Sequence, residues 1–262
     1  MTDDDRVATG NLRYLGGPTA LIDLGGVRLL TDPTFDPPGE YAVGQRTLVK
    51  LGEPAAAAAE IGAVDAVLLS HDQHPDNLDR GGRAYLASAP VVLSTPAAAE
   101  RLGGAVRGLT SWESVDLPRP GGGSVRVTAV PAQHGPDGCE PYTGPVTGFV
   151  LAGDELPTVY VSGDNASLAV VTEIAARIGP VDVAVLFAGA AKTVLLDGAY
   201  LTLTSDAAAE AARVLGAPVV IPVHFEQWAH FSQGRDTLPG AFAAAGLEKV
   251  LRIPALGETI TF

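Results

Sequence analysis

Five histidines occur in the chain, His71, His74, His134, His224 and His230, and four of them stand at or just beyond the end of an apolar run of strand length. The runs are residues 64–70, 125–130 and 219–223, so three loops distant in sequence contribute. An isolated histidine at such a place is ordinarily a hydrogen-bonded structural residue. Four of them, in company with Asp72, Asp76 and Asp164, make the donor set of a metal site. Imidazole and carboxylate suit zinc, and also manganese or iron. The single cysteine, Cys139, excludes both a thiolate cluster and an intramolecular disulfide. It lies in the loop after His134 beside no group that would activate a thiolate, and reads as structural.

The elements that must position these residues repeat one design, a buried strand running into a polar loop. Residues 19–23 and 27–31 flank Leu24-Gly25-Gly26 as a hairpin, and Asp32-Pro33 ends its second strand. Residues 158–162 run into Gly163-Asp164, and 181–187 into a loop of small residues. Helical patterns lie between them at 97–102, 168–178 and 205–215, with Gly179 and Gly216 just past two of the ends. Residues 53–61 read as a further short helix and 250–262 as two short strands. Gly121-Gly122-Gly123 reads as a loop between strands, and no low-complexity linker divides the chain, so a single domain over 1–262 is expected. Strands that alternate with helices predict an α/β (α+β) arrangement of sheets covered by helices.

The 262 residues, 47% of them hydrophobic, suffice for a sizeable core without disulfides. Thirty acidic against seventeen basic residues give a net charge of −13. Such a surface repels nucleic acid and anionic lipid, although a local pocket can still attract an anionic small molecule. The acidic start Met1-Thr2-Asp3-Asp4-Asp5 lacks the features of a signal peptide, and no apolar run approaches membrane-spanning length. A cytoplasmic protein acting on a small molecule is expected, with no nucleic-acid or membrane partner. Self-association into a homo-oligomer stays open.

The stretch Ser70-His71-Asp72-Gln73-His74-Pro75-Asp76-Asn77-Leu78-Asp79 resembles a variant of the metallo-β-lactamase signature His-x-His-x-Asp-His. Further landmarks follow in the order of that superfamily. They are Leu30-Thr31-Asp32-Pro33, then Pro131-Ala132-Gln133-His134-Gly135, Ser162-Gly163-Asp164, and Pro222-Val223-His224-Phe225 with Trp228-Ala229-His230-Phe231. The chain is most similar to the branch that holds the ascorbate-phosphate lactonases. The resemblance runs from about Leu12 to the C-terminus and implies a four-layered αβ/βα sandwich with the site at one edge, between the sheets. It also implies His71, His74, Asp76, His134, Asp164 and His224 as ligands.

Two departures bear on that ligand set. Counted back from Asp76, Asp72 stands where the first histidine belongs and His71 is one residue early. Either the loop bulges so that His71 reaches the metal, or Asp72 replaces it; the bulge is the preferred reading. Asn77 stands where a second-site histidine is expected, as a weak ligand or as a helix N-cap. One firm metal, from His71, His74, His134 and Asp164, is therefore expected. A second, on Asp76, His224 and Asp164, would be weak, different or absent.

A metal with an open position acidifies water for attack on an ester, lactone or phosphoester, with Asp76 as the residue that orients it. Asp32 and Asp79 are candidates to hold the imidazoles, or else turn and cap residues. Trp228 and His230 are candidates to line a substrate pocket, with core packing as the other reading of Trp228. The competing functions are a metal- or ligand-binding module that has lost turnover and an iron-dependent oxygenase on the same fold.

Overall fold

The computed structural model describes residues 10–44 and 46–262. In chain order the strands are β1 Gly10–Gly16, β2 Thr19–Leu24, β3 Val27–Thr31, β4 Gly39–Val43, β5 Arg46–Lys50, β6 Ala66–Leu68, β7 Val92–Ser94 and β8 Val106–Gly108. They continue with β9 Ser114–Pro118, β10 Ser124–Pro131, β11 Thr147–Ala152, β12 Val159–Val161, β13 Val183–Phe187, β14 Val219–Val223 and β15 Thr259–Thr261. One sheet has the order β15-β1-β2-β3-β6-β7-β8 and the other β14-β13-β12-β11-β10-β9, with β4 and β5 forming a separate hairpin. The helices are α1 Ala58–Ile61, α2 Arg80–Tyr85, α3 Pro96–Leu102, α4 Glu140–Thr143, α5 Leu168–Ile178, α6 Ser205–Leu215 and α7 Leu238–Ala244.

Period-two alternation assigns each strand's faces. Leu29 of β3 and Ala66 and Leu68 of β6 enter the cluster between the sheets, while Leu30 and Val67 enter an outer cluster with Ile61, Leu78, Tyr85 and Leu86. In β13 all five residues from Val183 to Phe187 are buried, because helices pack on one face of its sheet and the other sheet on the opposite face. Ile174 of α5 and Ala208, Ala211 and Leu215 of α6 join that same cluster. The result is the expected four-layered α/β sandwich.

Several boundaries differ from expectation for identifiable reasons. The helix expected over 53–61 shrinks to α1, because the Ala55 N–H donates to Leu15 O at 2.8 Å and holds the preceding stretch extended against β1. The tail supplies one strand, β15, which pairs with β1. Near Leu251 the chain makes only an isolated bridge to Val220 before Pro254 intervenes. Helix α2 begins after Asp79, so Asn77 is not its cap.

Strands β3 and β6 run parallel, as do β12, β13 and β14. Parallel neighbours deliver their carboxyl ends to one edge, where open α/β sheets place their ligand sites. Asp32, His71, Asp164 and His224 follow the ends of β3, β6, β12 and β14, and His134 follows the end of β10.

Beneath that edge the fully buried Lys50 ammonium lies 3.3 Å from Asp79 Oδ2. Asp79 also accepts the N–H groups of Phe35, Asp36 and Gly82, the last as the N-cap of α2. Removing one member of such a pair strands a buried charge. Lys50→Met is expected to destabilise the fold by about 3–5 kcal/mol, and the Lys50→Met/Asp79→Asn pair by less than the sum of the single changes. Urea unfolding of the three variants measures this; an additive loss would refute the coupling.

Candidate metal centre

His71, His74, His134 and Asp164 converge so that one donor atom from each lies within 4.8 Å of the others. His71 Nε2 stands 2.8 Å from His74 Nδ1, and His134 Nε2 stands 3.3 Å from the same atom. Asp164 Oδ2 is 3.4 Å from His134 Nε2. Donors around a tetrahedral zinc at about 2.0–2.1 Å are separated by roughly 3.3 Å. The Nδ1 of His134 is 2.8 Å from Leu201 O, which can only accept, so Nδ1 carries the proton and Nε2 turns a lone pair inward. His71 Nδ1 is likewise engaged outward, 3.0 Å from Ser70 Oγ. His74 Nδ1 is shared between two ring nitrogens, and one proton cannot serve both contacts. A cation can, and the donor set fits one.

Asp72 stands outside the cluster. Its carboxylate turns away and pairs with Arg101, Nε to Oδ2 at 2.9 Å, leaving His71 as the residue that reaches the cluster. The Asn77 amide nitrogen lies 3.2 Å from Asp164 Oδ1 and 3.4 Å from Asp32 Oδ2, so the side chain donates to carboxylates and offers them no oxygen.

Asp32 and Asp79 hold no imidazole. Asp32 Oδ1 accepts the Ser70 N–H at 2.6 Å, and Asp79 serves Lys50 and the turn before α2. Trp228 is buried against Tyr41 and Lys50 and does not line the cavity above the cluster, whereas His230 does.

Four further groups position the donors. Leu201 O and Ser70 Oγ orient two of the rings. Asn165 Oδ1 accepts the Gln133 N–H at 3.1 Å and ties the loop of His134 to that of Asp164. Gly163, at φ +57, lets β12 turn against β11, since a Cβ there would lie 2.5 Å from Thr147 O. An Asn or a Gly directly beside a suspected ligand was the available clue.

Asp76 sits beside the cluster, its Oδ2 3.0 Å from His230 Nε2 and 3.5 Å from His224 Nε2. Burial alone would raise its pKa, but these two imidazoles outweigh it and hold the carboxyl below its usual range. Burial opposes ionisation of Asp164 as well, and His224 and His134 reverse the sign. For His224 burial favours the neutral ring, yet Asp164 and Asp76 push it up to about 10. His71 and His74 go the other way. Burial and the neighbouring imidazole hold His71 well below its usual value and bring His74 down to about 4, so both are neutral and ready to ligate.

A cavity of roughly 480 Å³, its open mouth included, rises above His74, Asp76, His134 and His230. Leu48, Leu195 and Leu201 line its walls, with Arg46 and Lys192 also among its lining.

Comparison with known proteins agrees with the fold. The model of the beta-lactamase superfamily domain matches residues 27–225. A metal-dependent hydrolase of Methanosphaerula palustris is 30% identical over 201 residues, covering 74% of this chain and 83% of its own. Among solved structures, an isothiocyanate hydrolase from Delia radicum gut bacteria superposes with a TM-score of 0.81 at 20% identity, over 96% of this chain and 99% of that one. A metallo hydrolase from Ignicoccus hospitalis gives 0.69 at 22% identity, over 97% and 98%.

The neutral histidines set a pH dependence for the metal-free protein. The unfolded chain protonates His74 near pH 6.5 and the folded chain only near 4, so between these values unfolding takes up a proton and stability falls as pH falls. His71 acts in the same direction. Asp32, raised by burial to about 7, and His224, pushed up to about 10, hold more proton in the folded chain and offset much of the loss. The His74 contribution is therefore read as a difference: from pH 7 to pH 5 the urea midpoint of chelator-treated wild type is expected to fall relative to that of His74→Ala. A difference that stays constant or moves the other way over this interval would contradict the assignment.

Proposed function

The chain belongs to the beta-lactamase superfamily and is a metal-dependent hydrolase; we propose that it cleaves an ester, lactone or phosphoester bond in an anionic small molecule, with zinc held by His71, His74, His134 and Asp164. The observation that carries this reading is the convergence of three imidazole nitrogens and one carboxylate at the floor of an open cavity. Zinc held there supplies Lewis acidity, polarising the scissile bond and easing ionisation of the attacking water.

The chain's own residues do the remaining work. Asp76, kept ionised by His224 and His230, orients the attacking water and accepts its proton. Arg46 and Lys192 provide positive charge in the cavity of a chain whose net charge is −13. Arg46 Nη1 donates to Thr193 Oγ1 at 2.8 Å across the cavity, and Lys192 Nζ lies 4.6 Å from the centre of the Tyr200 ring. Both can receive a carboxylate or phosphate of the substrate, while Leu48, Leu195 and Leu201 exclude water around the reacting bond.

Plasma mass spectrometry on protein purified without chelators tests the centre. Zinc at about one equivalent or more, largely lost in His134→Ala, is expected for a site of this donor set. A protein that carries no metal and takes none up would end the proposal, and bound iron with oxygen consumption would replace it with an oxygenase. Turnover is then assayed on esters, lactones, phosphodiesters and isothiocyanates. On an anionic substrate, Arg46→Ala is expected to raise KM by about tenfold with little change in kcat, as removal of one charge-assisted contact made equally in ground and transition states. An unchanged KM would remove Arg46 from substrate binding.

A further inference from the structure

Beside the His71–His74–His134 cluster lies a second group of donors, and its one unassigned member is His230. Asp164 is divided between the two groups, with Oδ2 3.4 Å from His134 Nε2 and Oδ1 3.3 Å from His224 Nε2. Asp76 Oδ2 stands 3.5 Å from His224 Nε2 and 3.0 Å from His230 Nε2. The three contacts within the second group, 3.5, 3.3 and 3.0 Å, are of the length that separates neighbouring donors on a common zinc, roughly 3.3 Å.

The hydrogen bonding of the group is also incomplete. Asp76 Oδ1, Asn77 Oδ1, both nitrogens of the fully buried His224 and Nδ1 of His230 have no hydrogen-bond partner among the described residues. Unsatisfied polar atoms in such number are costly in a buried site unless something else binds there. Asn77 holds Asp164 and Asp32 through its amide nitrogen and brings no imidazole to the group.

We infer that Asp76, Asp164, His224 and His230 hold a second divalent cation, with His230 supplying the imidazole that Asn77 lacks. This rests on the metal-centre reading above, with Asp164 bridging the two ions. His230 is brought to the site by the chain before it. Leu51 N donates to Gln227 O at 2.7 Å and Ala229 N to Val49 O at 3.0 Å, so residues 227–229 extend the β4–β5 hairpin and aim the next residue at Asp76. A ligand that arrives from a different element, six residues beyond His224, lies outside the Asp76-Asn77 motif.

The test separates ligation from simple positioning of Asp76. Metal-free wild type, His230→Gln and His134→Ala are titrated with zinc alone, and bound metal is measured after gel filtration. Wild type is expected to retain about two equivalents and His230→Gln about one, the first with unchanged affinity, because glutamine can still donate to Asp76 but removes the imidazole. Two equivalents in His230→Gln, or a single equivalent in wild type, would overturn the inference and leave the first centre intact. Full zinc content in His134→Ala would instead overturn the metal-centre reading.

Zinc-loaded wild-type crystals guard against a variant that fails to fold. Anomalous scattering is expected to place the second ion about 2.1 Å from His230 Nε2, and an ion beyond about 3 Å from it would overturn the inference.

Discussion

Asp32 accepts the backbone N–H of Ser70 through Oδ1 at 2.6 Å and faces the Asn77 amide through Oδ2 at 3.4 Å, and so grips both ends of the loop that carries His71, His74 and Asp76. Everything that loop presents depends on this grip, because its ligands reach the cluster only if its backbone path is fixed. The carboxylate is itself confined. Its backbone lies at φ 28, its N–H donates to Leu68 O at 3.1 Å, and its carbonyl accepts from Thr19 Oγ1 at 2.7 Å. A non-glycine residue at positive φ persists only where its surroundings over-determine it. Burial beside Asp164 pushes Asp32 up to about 7, and a cation nearby would favour its ionised, accepting form.

The second constraint is the joining of the two sheets at their common edge. Thr147 N donates to Ser70 O at 3.1 Å, His224 N to Gly17 O at 2.6 Å, and Lys50 bridges to Trp228 in antiparallel fashion. Each contact links an element of one half of the chain to an element of the other. His224, at φ 53, is like Asp32 a non-glycine residue at positive φ, and such a contact holds it. Rigid strands on either side let the loops be irregular, and the irregular loops supply the donors.

The centre thus gathers groups that oppose burial individually. Asp76 and Asp164 are ionised, His71 and His74 neutral, and His224 charged when no metal competes with its proton. Two carboxylates and one protonated imidazole leave a net negative charge in the absence of metal, and a cation can take the place of that proton. The cavity above it departs from the acidic character of the chain, since Arg46 and Lys192 are placed in it by β5 and by the loop after β13.

The sequence by itself determined the layered fold, the strands β10, β13 and β14 to within two residues at each end, the helices α5 and α6 to the residue, and the candidate donors His71, His74, His134, Asp164 and His224. Periodicity and end signals are local, and the donors stand where buried strands stop, so both are legible along the chain. Only the tertiary structure decided which donor turned inward. Asp72 faces Arg101, twenty-nine residues away, and Asp79 faces Lys50, twenty-nine residues before it. His230 meets Asp76 across 154 positions, and Leu201 O meets His134 across 67. Those partners are fixed by how two sheets close on each other. The direction of a side chain at a loop is a property of that closure, and spacing along the chain does not encode it.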